Sequence, residues 1–449
     1  MFAQFFKGIW GNLSRQEFKK FGILAGVFFL VIGTYQMLKA LKDPMFDLYV
    51  GVDWTPRAKI LSIFFMALMI LIYSKLLDIY KKQSVFYVVC SFYALIFLCF
   101  SVIMSHPQLL SKFLFPWIPG NSIGWAMYLL VESFGSIMPA LFWGFVASVT
   151  TTESAKRGYA LIVICTQLGA IMGPLSVFLL CSKLSGAIFF ALGAAIILII
   201  PTIITIFDRV VPAETITQTV PEVRGSTGFF EGLRLLLSRR YLMGVFVITT
   251  FYEIVCTILD FQKIKLVQSV FPSKADGGYA YLWIKGLEGT GYGVIAFAFG
   301  LFGTSFFMRK LGLKTCLVTF PSIIAAVVIS TFLSYHFGFS PYYLMWIFLV
   351  SVVIIKGLNY SLNNPSREVL YIPTSKAVKF KAKGWIDAFG ARLLKGSAST
   401  VTDALRGSLP LLLTVGTVLS LGLVGVWIMV ALSTSNKFDE LQKNGQTIE

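Results

Sequence analysis

The sequence predicts an all-α integral membrane protein of twelve transmembrane helices, divided six plus six. Three observations lead there. The 449 residues are 57% hydrophobic and 13% charged, with mean hydropathy +0.79, which is too apolar for a soluble chain of this length. Apolar stretches of about 20 residues, enough to cross the hydrocarbon core of a bilayer as a helix, recur along the sequence. One long polar break, 208–240, separates the first six stretches from the last six.

The spans are predicted near 21–40, 59–80, 85–105, 124–149, 158–181, 184–207, 241–261, 290–308, 313–335, 341–361, 385–405 and 407–432. The first follows a basic start, MFAQFFKGIWGNLSRQEFKKFG, and runs to full length without a small-residue cleavage site, so no removable signal is expected. The next five alternate with short loops. Lys and Arg gather on one side of the alternation, which puts both termini in the cytoplasm and the protein in the cell (inner) membrane. The net charge of +17 is thereby read as topology, and a nucleic-acid partner is not expected.

The break holds VPAETITQTVPEVRGS and then an amphipathic run, GFFEGLRLLLSRR. It defines an N-terminal half (1–207), a cytoplasmic linker (208–240) and a C-terminal half (241–449). Six plus six, with the halves as parallel repeats, is the arrangement of the major facilitator fold. Faint echoes agree. Helix four leaves as WGFVASVTTTESAKRGY and helix ten as KGLNYSLNNPSREVLY, while YSKLLDIYKK and FMRKLGLK look like degraded copies of one loop motif.

Charged residues inside these spans carry the chemistry. A cation at bilayer depth costs roughly 2.5 kcal/mol or more, so it normally faces a protein interior and pairs with an anion. Five qualify: Lys39, Lys42, Lys356, Arg392 and Lys395. In YQMLKALKDP, Lys39, Lys42 and Asp43 occupy neighbouring positions of one helical face. Asp43 can satisfy one lysine, and the alternative for both is to snorkel from the last turn. Glu132, in WAMYLLVESFGS, is too central to snorkel. Glu253 and Asp260 lie seven residues apart on one face of helix seven, with Asp260 expected at the rim. Lys356 either snorkels or functions. Helix eleven, GWIDAFGARLLKGSASTVTDAL, is the least hydrophobic, and its small, cationic face with Arg392 and Lys395 belongs against a water-filled cavity.

Cations on helices one and eleven, from opposite halves, suit a polyanion such as a phosphate chain, with Lys as a point charge and Arg as a fork. Glu132, Glu253 and Asp260 would neutralise the empty site, gate it, or carry protons. Tyr35, Phe134, Phe142, Tyr252 and Phe389 are candidate base-stacking residues, each with core packing as the alternative reading. The sequence has no P-loop or HExxH motif, and its two histidines, His106 and His336, fall in predicted exterior loops. An enzyme is therefore not expected, nor is a cofactor. The six cysteines lie in or beside spans without CxxC spacing and read as packing residues.

The stretch NNPSREVLYIPTSKAVKFKAKGWIDAFGARLLKGSAS resembles the signature region of the ATP/ADP translocases, nucleotide transporters of plastids and intracellular bacteria. LKALKD resembles the family's first-helix basic motif, LLVESFGS its fourth-helix acidic one and TTTESAKRGY the loop after it. TILDFQKIKLVQSVFP is similar to the family's seventh-helix segment. The resemblance places the family's functional lysines on Lys42 and Lys395 and its helix-four glutamate on Glu132. Its helix-seven glutamate falls on Asp260, one methylene shorter. Lys39 stands where the family usually has Arg, Ala40 where it has Asp, and VASVTTTE replaces an Asn-Glu-containing sequence.

What the resemblance implies is alternating-access transport of a nucleotide, ATP, ADP or GTP. The open alternatives are ATP/ADP exchange, with phosphate accompanying ADP, and proton-coupled net import. A sugar-phosphate facilitator and a non-transporting membrane subunit are the more distant readings. A monomer is expected.

Overall fold

The computed structural model describes residues 15–448 apart from 81, 151, 212–228, 277 and 303. In a bilayer every backbone polar group must be satisfied within the chain, so apolar runs become helices. Among the described residues twelve helices reach fifteen residues or more. They are α1 (Arg15–Tyr49), α2 (Thr55–Ile79), α3 (Lys82–Ser105), α4 (Ser122–Val149), α5 (Thr152–Leu180) and α6 (Gly186–Val210), then α7 (Arg240–Val270), α8 (Tyr279–Phe302), α9 (Thr304–His336), α10 (Pro341–Leu358), α11 (Ala391–Leu405) and α12 (Leu409–Lys443). Among the described residues ten stretches are long and apolar enough to cross a membrane; α8 and α11 lie outside that set.

Local sequence sets the ends. Asn121 begins α4 by accepting the Ile123 amide at 3.0 Å, and Ser408 does the same for Leu411 at 3.4 Å, with Pro410 in the first turn of α12. Two helices carry π-helical turns. The chain of α10 continues through one at Asn359–Asn363 into Asn364–Val369, and a helix at Lys376–Trp385 passes through another at Ile386–Gly390 into α11. Of the linker, 212–228 lies outside the described residues, and the amphipathic run forms a helix at Phe229–Ser238 packed on Lys376–Trp385.

Three boundaries correct the sequence reading. Helix α1 continues to Tyr49, so Lys39 and Lys42 lie well before its last turn, and Lys42 is buried. Helix α7 runs nine residues beyond the expected 261 to Val270, so Asp260 is not at its end. Helix α8 begins at Tyr279, eleven residues earlier than expected, and thereby carries Lys285 and Glu288. Each error has one cause: hydropathy stops a span at its first charges, whereas a helix continues if those charges find partners.

The chain forms two compact units. Unit 1 is Met1–Gly51, Phe64–Val223 and Ser273–Thr290; unit 2 is Val52–Ile63, Arg224–Pro272 and Gly291–Glu449. In unit 1, α1 packs against α4, α5 and α6, and α3 against α6. Glycines permit the α1–α5 approach, since a Cβ on Gly173 would lie 2.3 Å from the Gly33 carbonyl oxygen and one on Gly169 2.6 Å from that of Phe29. Ser273 donates to Asp47 at 2.5 Å, helping to hold 273–290 in this unit.

Unit 2 repeats the pattern with every helix number raised by six: α7 packs against α10, α11 and α12, and α9 against α12. Gln262 on α7 donates to the Leu412 carbonyl of α12 at 2.9 Å. The segment Val52–Ile63, which includes the start of α2, joins this unit through charges. Lys265 meets Asp53 at 2.6 Å, Arg57 meets Asp403 at 3.2 Å, and the guanidinium groups of Arg57 and Arg406 lie 4.7 and 4.8 Å from the Trp54 ring.

Candidate functional site

In unit 1 the site is built on α1, α4 and the start of α8. The side chain of Lys42 is 6% exposed and donates to Glu132 across the α1–α4 contact. The ammonium also lies 3.7 Å from Asp43 and 4.1 Å from the centre of the Tyr128 ring. Asp43 in turn meets Lys285 at 2.7 Å, and Lys285 lies 3.6 Å from Glu288. Signs therefore alternate along one buried chain: Glu132, Lys42, Asp43, Lys285, Glu288. Pairing of this kind offsets the desolvation that an isolated buried charge would suffer. It also overturns snorkelling for Lys42, whose neighbours are carboxylates and an aromatic face.

Lys39, one turn earlier, has its ammonium 5.7 Å from the Tyr35 ring. Tyr35 lies against Gly135 of α4, where only the missing side chain makes room for it. Unit 1 thus gathers Lys39, Lys42, Glu132 and Tyr35 on the α1–α4 contact.

In unit 2 the carboxylate is central. Asp260 of α7 meets Lys356 of α10 at 2.9 Å and Lys263, one turn along α7, at 3.0 Å. Lys263 is fully buried, while Lys356 retains 17% side-chain exposure. The Cys256 thiol lies 4.0 Å from the same carboxylate. Lys356 is therefore tied to Asp260 and does not simply snorkel. Glu253 is half-buried on α7. Arg392 and Lys395 are half-buried on α11, beside small residues: Gly396 approaches Ile63, and the Ser399 hydroxyl donates to the Lys395 carbonyl at 2.8 Å.

The aromatic candidates divide. Phe134 is fully buried, with ring centroids of Tyr93 and Phe97 at 5.2 and 5.7 Å. Phe142, also fully buried, stacks on Phe28 at 4.1 Å. Both fill core space and offer no face to a base, which corrects the expectation for them. Tyr252 is buried near Phe320, at 6.0 Å. Tyr35 is half-buried and Phe389 43% exposed, so these two retain reachable rings.

Sequence reasoning missed Lys263, Lys285 and Glu288. The signal was present as i,i+3 opposite charges, Asp260 with Lys263 and Lys285 with Glu288. Spans drawn to end at 261 and begin at 290 placed all three in loops.

Outside the spans, the signature stretch forms a compact cluster. Lys383 pairs with Glu368, and its ammonium lies 5.5 Å from the Tyr371 ring. Burial pushes the Tyr371 phenol up from its ordinary pKa. Ser375 opens the Lys-rich helix by accepting the Val378 amide at 3.3 Å. Among the described residues no group of three or more His, Cys, Asp or Glu could hold a metal ion.

Comparison with known proteins matches residues 1–116 and 120–438 to the family described as TLC ATP/ADP transporter. Curated relatives include ADP,ATP carrier protein 1 of Rickettsia prowazekii (strain Madrid E), 24% identical over 447 residues, covering 88% of this chain and 87% of the relative. Another is the chloroplastic ADP,ATP carrier protein 2 of Arabidopsis thaliana, 24% identical, covering 94% and 75%. Among solved structures, the peptide transporter PepTSo of the POT family aligns with TM-score 0.64 at 12% identity, covering 95% of this chain and 98% of that one. The nucleoside transporter NupG aligns at 0.61 and 16% identity, covering 93% and 99%. These likenesses show the six-plus-six major facilitator fold.

Proposed function

The chain belongs to the TLC ATP/ADP transporter family, and we propose that it imports nucleotide by alternating access, exchanging external ATP for cytoplasmic ADP. Membership makes it a multi-pass membrane transporter and not an enzyme. One observation supports the chemistry: Lys42 is buried between Glu132 and Asp43 with its ammonium over Tyr128. Its charge is balanced without cargo, yet by carboxylates that a phosphate can replace.

In this reading Lys42 and Lys39 of unit 1 and Lys395 and Arg392 of unit 2 bind phosphate oxygens. Arg392 supplies the fork geometry and the lysines act as point charges. Glu132 and Asp260 take back the cations when cargo leaves, Glu253 being the remaining coupling candidate. Tyr35 and Phe389 are the aromatic faces for the base. Exchange follows because an empty cationic site reorients across a dry barrier at greater cost than a loaded, neutralised one. We place both termini in the cytoplasm and the protein in the cell membrane, on the distribution of Lys and Arg, and take the working unit to be a monomer.

Proton-coupled net import, extending to GTP, is the second reading. The observation favouring it is that three carboxylates, Glu132, Asp43 and Glu288, stand in one series with Lys42 and Lys285, and a carboxylate is the group that would carry the proton. Uptake of labelled ATP, ADP and GTP into proteoliposomes, with and without internal nucleotide and a proton gradient, separates the two. Uptake requiring a loaded interior supports exchange, and uptake abolished by a protonophore supports symport. Folded protein that takes up none of the three refutes both.

A further inference from the structure

Each unit has one helix, α1 or α7, that packs on the three helices numbered three, four and five higher. Each of these carries one charged side chain paired with a charged side chain on the helix three further on. In unit 1 the pair is Lys42 on α1 with Glu132 on α4; in unit 2 it is Asp260 on α7 with Lys356 on α10. Chain order and packing partners correspond, but the signs are exchanged. Each pair also recruits a second charge from its own first helix, Asp43 at 3.7 Å from Lys42 and Lys263 at 3.0 Å from Asp260. Unit 1 thus sets a lysine between two carboxylates, and unit 2 sets a carboxylate between two lysines.

The two lysines on Asp260 are not equivalent. Lys263 is fully buried and shares a helix with Asp260, whereas Lys356 comes from another helix and keeps 17% exposure. Three residues past Lys356 the helix opens into the π-helical turn Asn359–Asn363, while α4 stays α-helical from Ser122 to Val149, with Pro139 seven residues past Glu132. Such turns recur at functional sites, because the wider hydrogen-bond register lets a helix readjust locally. A lysine that detached from Asp260 would not strand a buried carboxylate, since Lys263 would still neutralise it.

We propose that Lys356 is a cargo-binding residue: on nucleotide entry its ammonium leaves Asp260 for a phosphate oxygen, as Lys42 leaves Glu132, while Lys263 holds Asp260. The assignment rests on the nucleotide-transport reading and adds to it a phosphate ligand on α10. The chemical class it selects is a polyphosphate anion. Asp260 is then a competitor for the cargo's cation as well as a coupling carboxylate.

The test compares ATP binding and ATP transport in Lys356→Arg, in Lys356→Met, which leaves Asp260 paired with Lys263, and in the neutral triple variant Asp260→Asn/Lys263→Met/Lys356→Met. A bridge that only braces α7 against α10 would be repaired in the triple variant, which leaves no charge at any of the three positions. A phosphate ligand would not be repaired. The expected result is that Lys356→Met and the folded triple variant both show a half-saturating ATP concentration raised by about tenfold or more, as loss of a charged hydrogen bond requires, with Lys356→Arg staying near wild type. Wild-type half-saturation in Lys356→Met or in the triple variant overturns the assignment alone. Wild-type protein that neither binds nor transports ATP overturns the nucleotide reading, and this assignment with it.

Discussion

Lys42 combines a desolvation cost with the phosphate-binding role proposed for it. Its ammonium is surrounded by Glu132, Asp43 and Tyr128, so removing a carboxylate and removing the lysine should act in opposite senses on cargo. Glu132→Gln takes away a competitor for the cation and should tighten ATP binding while slowing transport, because the cation then keeps only the more distant Asp43 in the empty state. Lys42→Ala should weaken ATP binding by about tenfold or more, the scale of one charge-assisted contact. Equilibrium binding by both variants checks the pair. Phe134 makes the contrasting prediction. Buried among Tyr93 and Phe97, it should destabilise the protein by roughly 3 kcal/mol when cut to alanine. The ATP affinity of the folded fraction should not change, and thermal unfolding measured beside ATP titration reads both.

At the level of elements, the helix count and the six-plus-six division were legible because spans and linkers differ in composition over tens of residues. Lys42, Glu132 and Asp260 were legible because charge inside an apolar run is conspicuous. Lys263 and Lys285 were not, since each lies where a helix continues past its apolar stretch, and only a partner reveals that it is buried. Phe134 and Phe142 were left open between stacking and packing for a related reason: in a chain with 42 Phe, composition does not separate a ring in the core from one facing cargo. Packing of α1 on α5 was also invisible as such, although its cause, small residues at 169 and 173, stands in the sequence. Gly173→Leu should therefore prevent the approach to Gly33 and abolish recovery of folded protein, as read by size-exclusion profile. Full recovery would mean that α1 and α5 tolerate separation at this point.

For the whole molecule, the repeated packing pattern with charges exchanged gives each unit a largely buried ion pair, and the proposal is that phosphate replaces one partner of each. On that proposal exchange is obligatory, because an opened pair must be refilled by a nucleotide or closed again before the empty protein can cycle. The most direct measurement is the release of labelled ADP trapped in proteoliposomes when unlabelled ATP is added outside. Exchange predicts that ADP leaves in proportion to the ATP that enters, and that vesicles without internal nucleotide accumulate almost no ATP. Equal ATP accumulation in empty and ADP-loaded vesicles, with the trapped ADP retained, would contradict it.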